Sequence, residues 1–168
     1  MARRNAAATP AIAAAQRAGI EFEIHTYEHD PAHENFGIEA ATALGLDPTH
    51  VFKTLVAEVD GTPVCAMVPV SSMLSLKALA AAHGGKRAVM MDADRAQRLT
   101  GYVLGGISPL GQRTRSPSYL DDSASTLRRI YVSAGRRGME ISLSPADLIT
   151  LTEGTTAPIM TMANAPDR

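Results

Sequence analysis

The sequence predicts an α+β fold: a mixed, largely antiparallel, barrel-like sheet with flanking helices. Three observations predict it. Helical and strand-like segments alternate irregularly, whereas a regular strand–helix–strand rhythm would mean a doubly wound parallel sheet. A two-residue hairpin signal, Asp60-Gly61, joins two apolar runs in the middle of the chain. No internal repeat, heptad pattern or long linker interrupts the 168 residues. That length reads as one domain over 1–168, with about 153–168 as a C-terminal tail. Trp is absent and aromatics are 4%, so the core must come from Ala, Val, Leu, Ile and Met.

The elements follow in order. Thr9 and Pro10 read as N-cap and first helical residue, with Ala11 to Ala18 following and Gly19 as the stop. Phe22 to Glu28 reads as a strand: Phe22, Ile24 and Thr26 face a core, and Glu21, Glu23, His25, Tyr27 and His29 form a polar face. A helix is expected over about Asn35 to Leu44, closed by Gly45. The strand around Val51-Phe52-Lys53-Thr54-Leu55-Val56-Ala57 runs to Asp60-Gly61 and pairs with Val64 to Val70. Ser75 caps a helix to Ala82, Ala88 to Met91 is a short strand, and Asp92 to Leu99 a helix. Tyr119-Leu120, Ile130 to Ser133 and Met139 to Leu143 are closing strands, and Ser144-Pro145 starts a last helix to about Leu151.

Bulk features exclude some classes. The single cysteine, Cys65, forbids an internal disulfide and fits a reducing cytoplasm. No apolar run approaches the ~18 residues of a membrane span. Pro10, Gln16 and Arg17 break the Ala-rich N-terminal stretch, against a signal peptide. The net charge of −1 is uneven: from Lys77 to Arg137 there are eleven Lys/Arg against four Asp/Glu. Such clustering suits a polyanionic partner or a solvated arginine-rich surface.

Candidate chemistry centres on Lys53. It shares a strand face with Val51, Leu55, Ala57 and Val59, so its ammonium must reach water, guard a sheet edge or meet an anion. His25, His29 and His33 are four apart, but Pro31 prevents a common helix face, and no metal-ligand motif accompanies them. Cys65 lies in an apolar strand and reads as core. Ser108 fails the nucleophile-elbow pattern, because Pro109 follows it and Leu110 stands where glycine belongs. No nucleophile triad and no cofactor fingerprint is present. Gly105-Gly106 permits close backbone approach to a ligand, or only a tight turn.

Several motifs occur together and in order: Thr9-Pro10, His25-Thr26-Tyr27-Glu28-His29-Asp30-Pro31, Asn35-Phe36-Gly37, Val51-Phe52-Lys53-Thr54-Leu55, the run from Gly101 through Gly105-Gly106-Ile107-Ser108-Pro109-Leu110 to Gly111, and Ile130-Tyr131-Val132-Ser133. Over about Thr9 to Leu151 the sequence resembles the YbaK/EbsC family of aminoacyl-tRNA editing proteins, most closely its YbaK type, which deacylates Cys-tRNA(Pro). The resemblance implies hydrolysis of cysteine from tRNA(Pro), assisted by the substrate's own thiol, with no cofactor or metal. It places the family lysine on Lys53 and pocket residues on Tyr27, Phe36, Thr54, Gly105 and Ser133. Glu140 stands where the YbaK type has aspartate. Gly106 and Ser108, from the same glycine-rich run, join the expected substrate-binding set. Arg113, Arg115, Arg136 and Arg137 are the expected tRNA contacts. The resemblance also implies work alongside prolyl-tRNA synthetase, and leaves docking on it open. The alternatives are a deacylase for another mischarged tRNA such as Ala-tRNA(Pro), or a non-catalytic tRNA- or nucleotide-binding module.

Overall fold

A computed structural model of the chain describes residues 8–162. Five helices and ten strands follow in the order α1 (Pro10–Ala18), β1 (Glu23–Thr26), α2 (Phe36–Leu44), β2 (Phe52–Val59), β3 (Thr62–Pro69), β4 (Ser72–Leu74), α3 (Leu76–Ala82), β5 (Ala88–Met90), α4 (Ala93–Thr100), β6 (Ser118–Asp121), a 3-10 turn (Asp122–Thr126), β7 (Ile130–Arg136), β8 (Met139–Leu143), α5 (Pro145–Thr152), β9 (Thr155–Ala157) and β10 (Met160–Met162). The strands form three ladders, ordered β5-β2-β3-β6-β9, β1-β8-β7 and β10-β4. Only β3–β6 and β6–β9 are parallel. The sheet is therefore mixed and largely antiparallel, as expected. It does not close into a barrel: the two larger ladders touch through one parallel bridge, Val51–Tyr131.

Local chemistry sets the helix ends. The side chains of Thr9, Asn35, Ser75, Asp92 and Ser144 each accept an N–H three residues on, satisfying a donor the first helical turn leaves open. In the β2–β3 hairpin, Asp60 and Gly61 both have positive φ, 50° and 86°, the backbone of a turn matched to strand twist. The Asp60 carboxylate accepts N–H bonds from Lys86 and Arg87, which hold its pKa below the ordinary aspartate value and tie β5 to the hairpin.

Strand β2 separates two cores. Phe52 and Val56 face one, with Met67, Leu120, Ile130, Val132, Ile141 and Leu143. Leu55, Ala57 and Val59 face the other, with Val64, Ala66, Val68, Leu79 and Ile159. Cys65 is fully buried as expected, and burial pushes its thiol up to about 11, which silences it as a nucleophile.

The expected tail after Glu153 is corrected by the structure over its described part. Thr155–Ala157 pairs with β6, and Met160–Met162 pairs with β4. Ile159 between them is 0% exposed, and the buried Asp121 carboxylate accepts the N–H groups of Ile159 and Met160 at 2.9 Å each. Residues 163–168 of that expected tail lie outside the described residues.

Candidate functional site

The two larger sheets part company just past the Val51–Tyr131 bridge. On that side β2 regains a strand neighbour only at Ala57, where β5 begins to pair. A cavity of about 430 Å³ is lined from both sheets. Strand β2 contributes Phe52, Lys53, Thr54 and Leu55, while β7 and β8 contribute Ser133 and Glu140, which are direct cross-strand partners. Residues 34–37 at the start of α2, Val70 and the glycine-rich loop (Leu104, Gly105, Ile107) complete the wall. The volume falls in the range of small-molecule sites, roughly 300–1,000 Å³.

Two glycines shape the wall. A Cβ on Gly37 would meet Val70 Cγ1 at 2.4 Å, so the start of α2 packs this closely on the residue just after β3 because it is glycine. Gly105 has φ 85°, and a Cβ there would fall within 2.9 Å of the Phe36 ring. Phe36 is held from further directions: the Arg137 guanidinium lies 4.8 Å from its centroid and the His29 ring 5.7 Å away. Arg137 Nε also donates to the Leu104 carbonyl at 2.7 Å, fastening the glycine-rich loop to the β7–β8 turn.

The polar groups of the cavity are poorly satisfied by protein. Lys53 is half-buried, makes no ion pair among the described residues, and is held below its ordinary pKa by burial. The Thr54 hydroxyl is buried with no hydrogen-bond partner among them. Glu140 is 7% exposed, and desolvation pushes its carboxyl up to about 8. Buried polar atoms usually find partners, so such a concentration marks a place where a ligand completes the set.

Of the expected site residues, the structure brings together Lys53, Phe36, Thr54, Gly105, Ser133 and Glu140. It does not bring in three others. Tyr27 is not among the wall residues; burial, and next the charge of Glu140, push its hydroxyl up to about 12. Gly106 approaches the backbone of Arg136 instead of the cavity, with a Cβ there only 2.8 Å from Arg136 Cα. Ser108 is 0% exposed and its hydroxyl accepts the Leu110 N–H at 3.2 Å, so it serves the turn. Among the arginines, Arg136 and Arg137 stand at the turn beside the cavity. Arg113 packs near Gly101, and Arg115 pairs with the Glu153 carboxylate beside a separate cleft.

The histidines of the expected polar face have separate duties. His25 Nε2 is 2.9 Å from Ser142 Oγ, and His29 Nδ1 is 2.8 Å from Glu39 Oε1. Glu39 is buried, also accepts the Asp30 N–H at 2.7 Å, and is held below its ordinary pKa by these bonds, which outweigh desolvation. This clamp on the loop before α2 was not legible in the sequence, because partners ten residues apart across a proline turn have no periodic signature. Among the described residues, no group of three His, Cys, Asp or Glu is arranged to hold a metal ion.

Fold and cavity together define a mixed α+β protein with a cavity whose wall carries a half-buried lysine and, among the described residues, no hydrogen-bonded nucleophile–base pair. The chain belongs to the aminoacyl-tRNA editing domain family, whose model matches residues 34–151 and so spans every residue of the cavity wall. A relative from Enterococcus faecalis, provisionally named the Cys-tRNA(Pro)/Cys-tRNA(Cys) deacylase EbsC, is 39% identical over 137 residues, covering 80% of this chain and 84% of its own. Among solved structures, one provisionally described as a trans-editing enzyme for prolyl tRNA synthetase superposes with a TM-score of 0.80 at 22% identity, covering 93% of this chain and 99% of its own. The hypothetical protein APE2540 superposes with a TM-score of 0.82 at 20% identity, covering 91% and 100%. The two structures speak for the fold.

Proposed function

We propose that this family member is a trans-editing deacylase that releases cysteine from mischarged tRNA(Pro), with the substrate's thiol as the nucleophile. The observation that carries the reading is the cavity wall itself. It offers a lysine, two hydroxyls and a buried acid, but no histidine or cysteine. Neither hydroxyl is hydrogen-bonded to a base: Thr54 Oγ1 has no partner among the described residues, and Ser133 Oγ, across the strand from Glu140, accepts the Gly135 N–H at 3.1 Å instead. A site so equipped suits a substrate that brings its own nucleophile.

In the proposed step the cysteinyl sulfur attacks its own ester carbonyl. A C–S bond forms, the C–O bond to the ribose breaks, and the thiol proton ends on the departing ribose oxygen. Water then opens the resulting thiolactone to free cysteine. The chain's part is positioning, since holding thiol and carbonyl in a reactive geometry replaces a costly encounter. Lys53, drawn into low-dielectric surroundings, would stabilise the negative charge that develops on the carbonyl oxygen, or hold the 3′-terminal nucleotide. Arg136 and Arg137, at the turn beside the cavity, would meet phosphates of the acceptor end. The Enterococcus relative's provisional name supports cysteine as the amino acid, with tRNA(Cys) as a second carrier to be tested.

The test is deacylation of Cys-tRNA(Pro), Cys-tRNA(Cys) and Ala-tRNA(Pro) by wild type and Lys53→Ala. Fast cysteine release that collapses in the variant supports the proposal. Fast alanine release would reassign specificity to a water nucleophile. Binding of tRNA with no turnover of any substrate would leave a binding module. Work alongside prolyl-tRNA synthetase belongs to the same proposal, and co-sedimentation of chain, synthetase and tRNA(Pro) checks it.

A further inference from the structure

We infer that Glu140 reads the α-ammonium group of the bound aminoacyl ester, so that the site accepts esters with a free amine and excludes N-acylated ones. The inference rests on the deacylase reading and refines which substrates that site takes.

Glu140 is the buried carboxyl of the cavity; the other acid in its wall, Glu34, is exposed. No hydrogen-bond donor satisfies Glu140 among the described residues. Its two cross-strand neighbours are engaged elsewhere. Ser133, opposite it on β7, accepts from Gly135 N–H, and His25, opposite it on β1, meets Ser142 Oγ. Lys53 lines the same cavity and forms no ion pair with it. A carboxyl that faces the cavity, largely removed from bulk water and with no protein donor, is costly to ionise, and a cationic donor from a ligand removes that cost.

An aminoacyl ester offers one such cation, on the carbon next to the reacting carbonyl. Lys53 repels that ammonium and attracts oxygen, so the two residues fix the ester's direction in the cavity. Acylation of the amine removes the charge and adds bulk where the carboxyl waits. A site that hydrogen-bonds a substrate group discriminates strongly against the analogue that lacks it.

A proton is linked to this recognition. The groups around Glu140 are His25 from β1, Tyr27 just after that strand, Lys53 from β2 and Glu34 before α2, with Arg136 and Arg137 at the β7–β8 turn beside the cavity; Glu39 of α2 acts on Tyr27. Glu39 is already committed to His29 and Asp30. With its pKa pushed up to about 8, free Glu140 is mostly neutral at pH 7. Pairing with an ammonium ionises it, so binding expels close to one proton.

The experiment is calorimetric titration with 3′-deoxy-3′-(L-serylamino)adenosine, an unreactive mimic with a hydroxyl for the thiol, and with its N-acetyl derivative. Each is titrated into wild type and Glu140→Gln in buffers of different ionisation enthalpy. Wild type should prefer the free amine by at least about 30-fold and release nearly one proton at pH 7. Glu140→Gln, nearly isosteric, should lose both the preference and the proton. Equal affinities in wild type, or an unchanged preference in Glu140→Gln, would overturn the inference. A wild type that prefers the free amine yet turns over no Cys-tRNA(Pro) would sink the deacylase reading alone, so the two failures are distinguishable.

Discussion

Replacing Glu140 by glutamine should make the protein markedly more stable at alkaline pH. Glu140 has an ordinary value of 4.5 and is carried to about 8 in the fold by desolvation. A folded-state pKa raised above the unfolded one gives stability that is fully present below 4.5 and lost as pH rises through 8. Below 4.5 the carboxyl is neutral in both states and costs nothing extra. Between 4.5 and 8 the unfolded chain ionises freely while the folded chain stays neutral, so wild type loses about 1.4 kcal/mol per pH unit. Above 8 the loss levels off, because both states are ionised. From pH 5 to pH 9 the accumulated loss is about 4 kcal/mol, a sizeable part of the ~5–15 kcal/mol that holds a domain together. Glutamine does not titrate, so its own burial cost is the same at both pH values. Urea unfolding of wild type and Glu140→Gln at pH 5 and pH 9 measures the difference. The variant should gain about 4 kcal/mol on wild type between the two. Parallel stability curves for the two proteins would show that Glu140 is not desolvated, and would refute the reasoning for the cavity floor.

Two further predictions follow from particular contacts. Ile159→Ala removes a fully buried side chain between β9 and β10 and should cost about 2–5 kcal/mol by urea unfolding; a loss under about 0.5 kcal/mol would return this segment to the status of a tail. Neutralising Arg136 and Arg137 together should lower tRNA affinity and reduce the slope of log affinity against log salt by about 2, whereas neutralising the Glu153-paired Arg115 should change the slope less. Equal slopes for all three proteins would remove the β7–β8 turn from the tRNA contact.

The parts of the fold that could be read from the sequence are those written in local chemistry. Helix caps act over three residues, and the Asp60-Gly61 turn acts over two, so Thr9, Ser75, Ser144 and the hairpin stand as expected, while Asn35 and Asp92, expected as first helical residues, cap helices that begin one residue later. Strands β4, β9 and β10 are three residues each and exist only through pairing with segments far along the chain, which no short pattern announces. The split after Val51 was not legible for the same reason: whether a barrel-like sheet closes is decided by long-range register. That split is where the cavity lies. Within the site, Lys53 was legible because a lysine in an apolar strand is locally anomalous. The apolar wall of Val51, Leu55, Val70 and Leu104 was not, since such side chains look alike in core and cavity. Ser108, Gly106 and Tyr27 belong to the expected motifs but are not in the wall: Ser108 serves a turn, Gly106 a close backbone approach, and Tyr27 is a half-buried phenol that feels the charge of Glu140.

The central claim is that a lysine half-buried in the split between two sheets serves hydrolysis of an aminoacyl ester whose own thiol attacks it. Single-turnover deacylation of Cys-tRNA(Pro) beside Ser-tRNA(Pro), which differs by one atom, tests it most directly in wild type and Lys53→Ala. The account predicts rapid loss of cysteine, little loss of serine, and a fall of about 10²-fold or more for cysteine in the variant. Equal rates for cysteine and serine would contradict the thiol's role, and an undiminished rate in Lys53→Ala would contradict the lysine's.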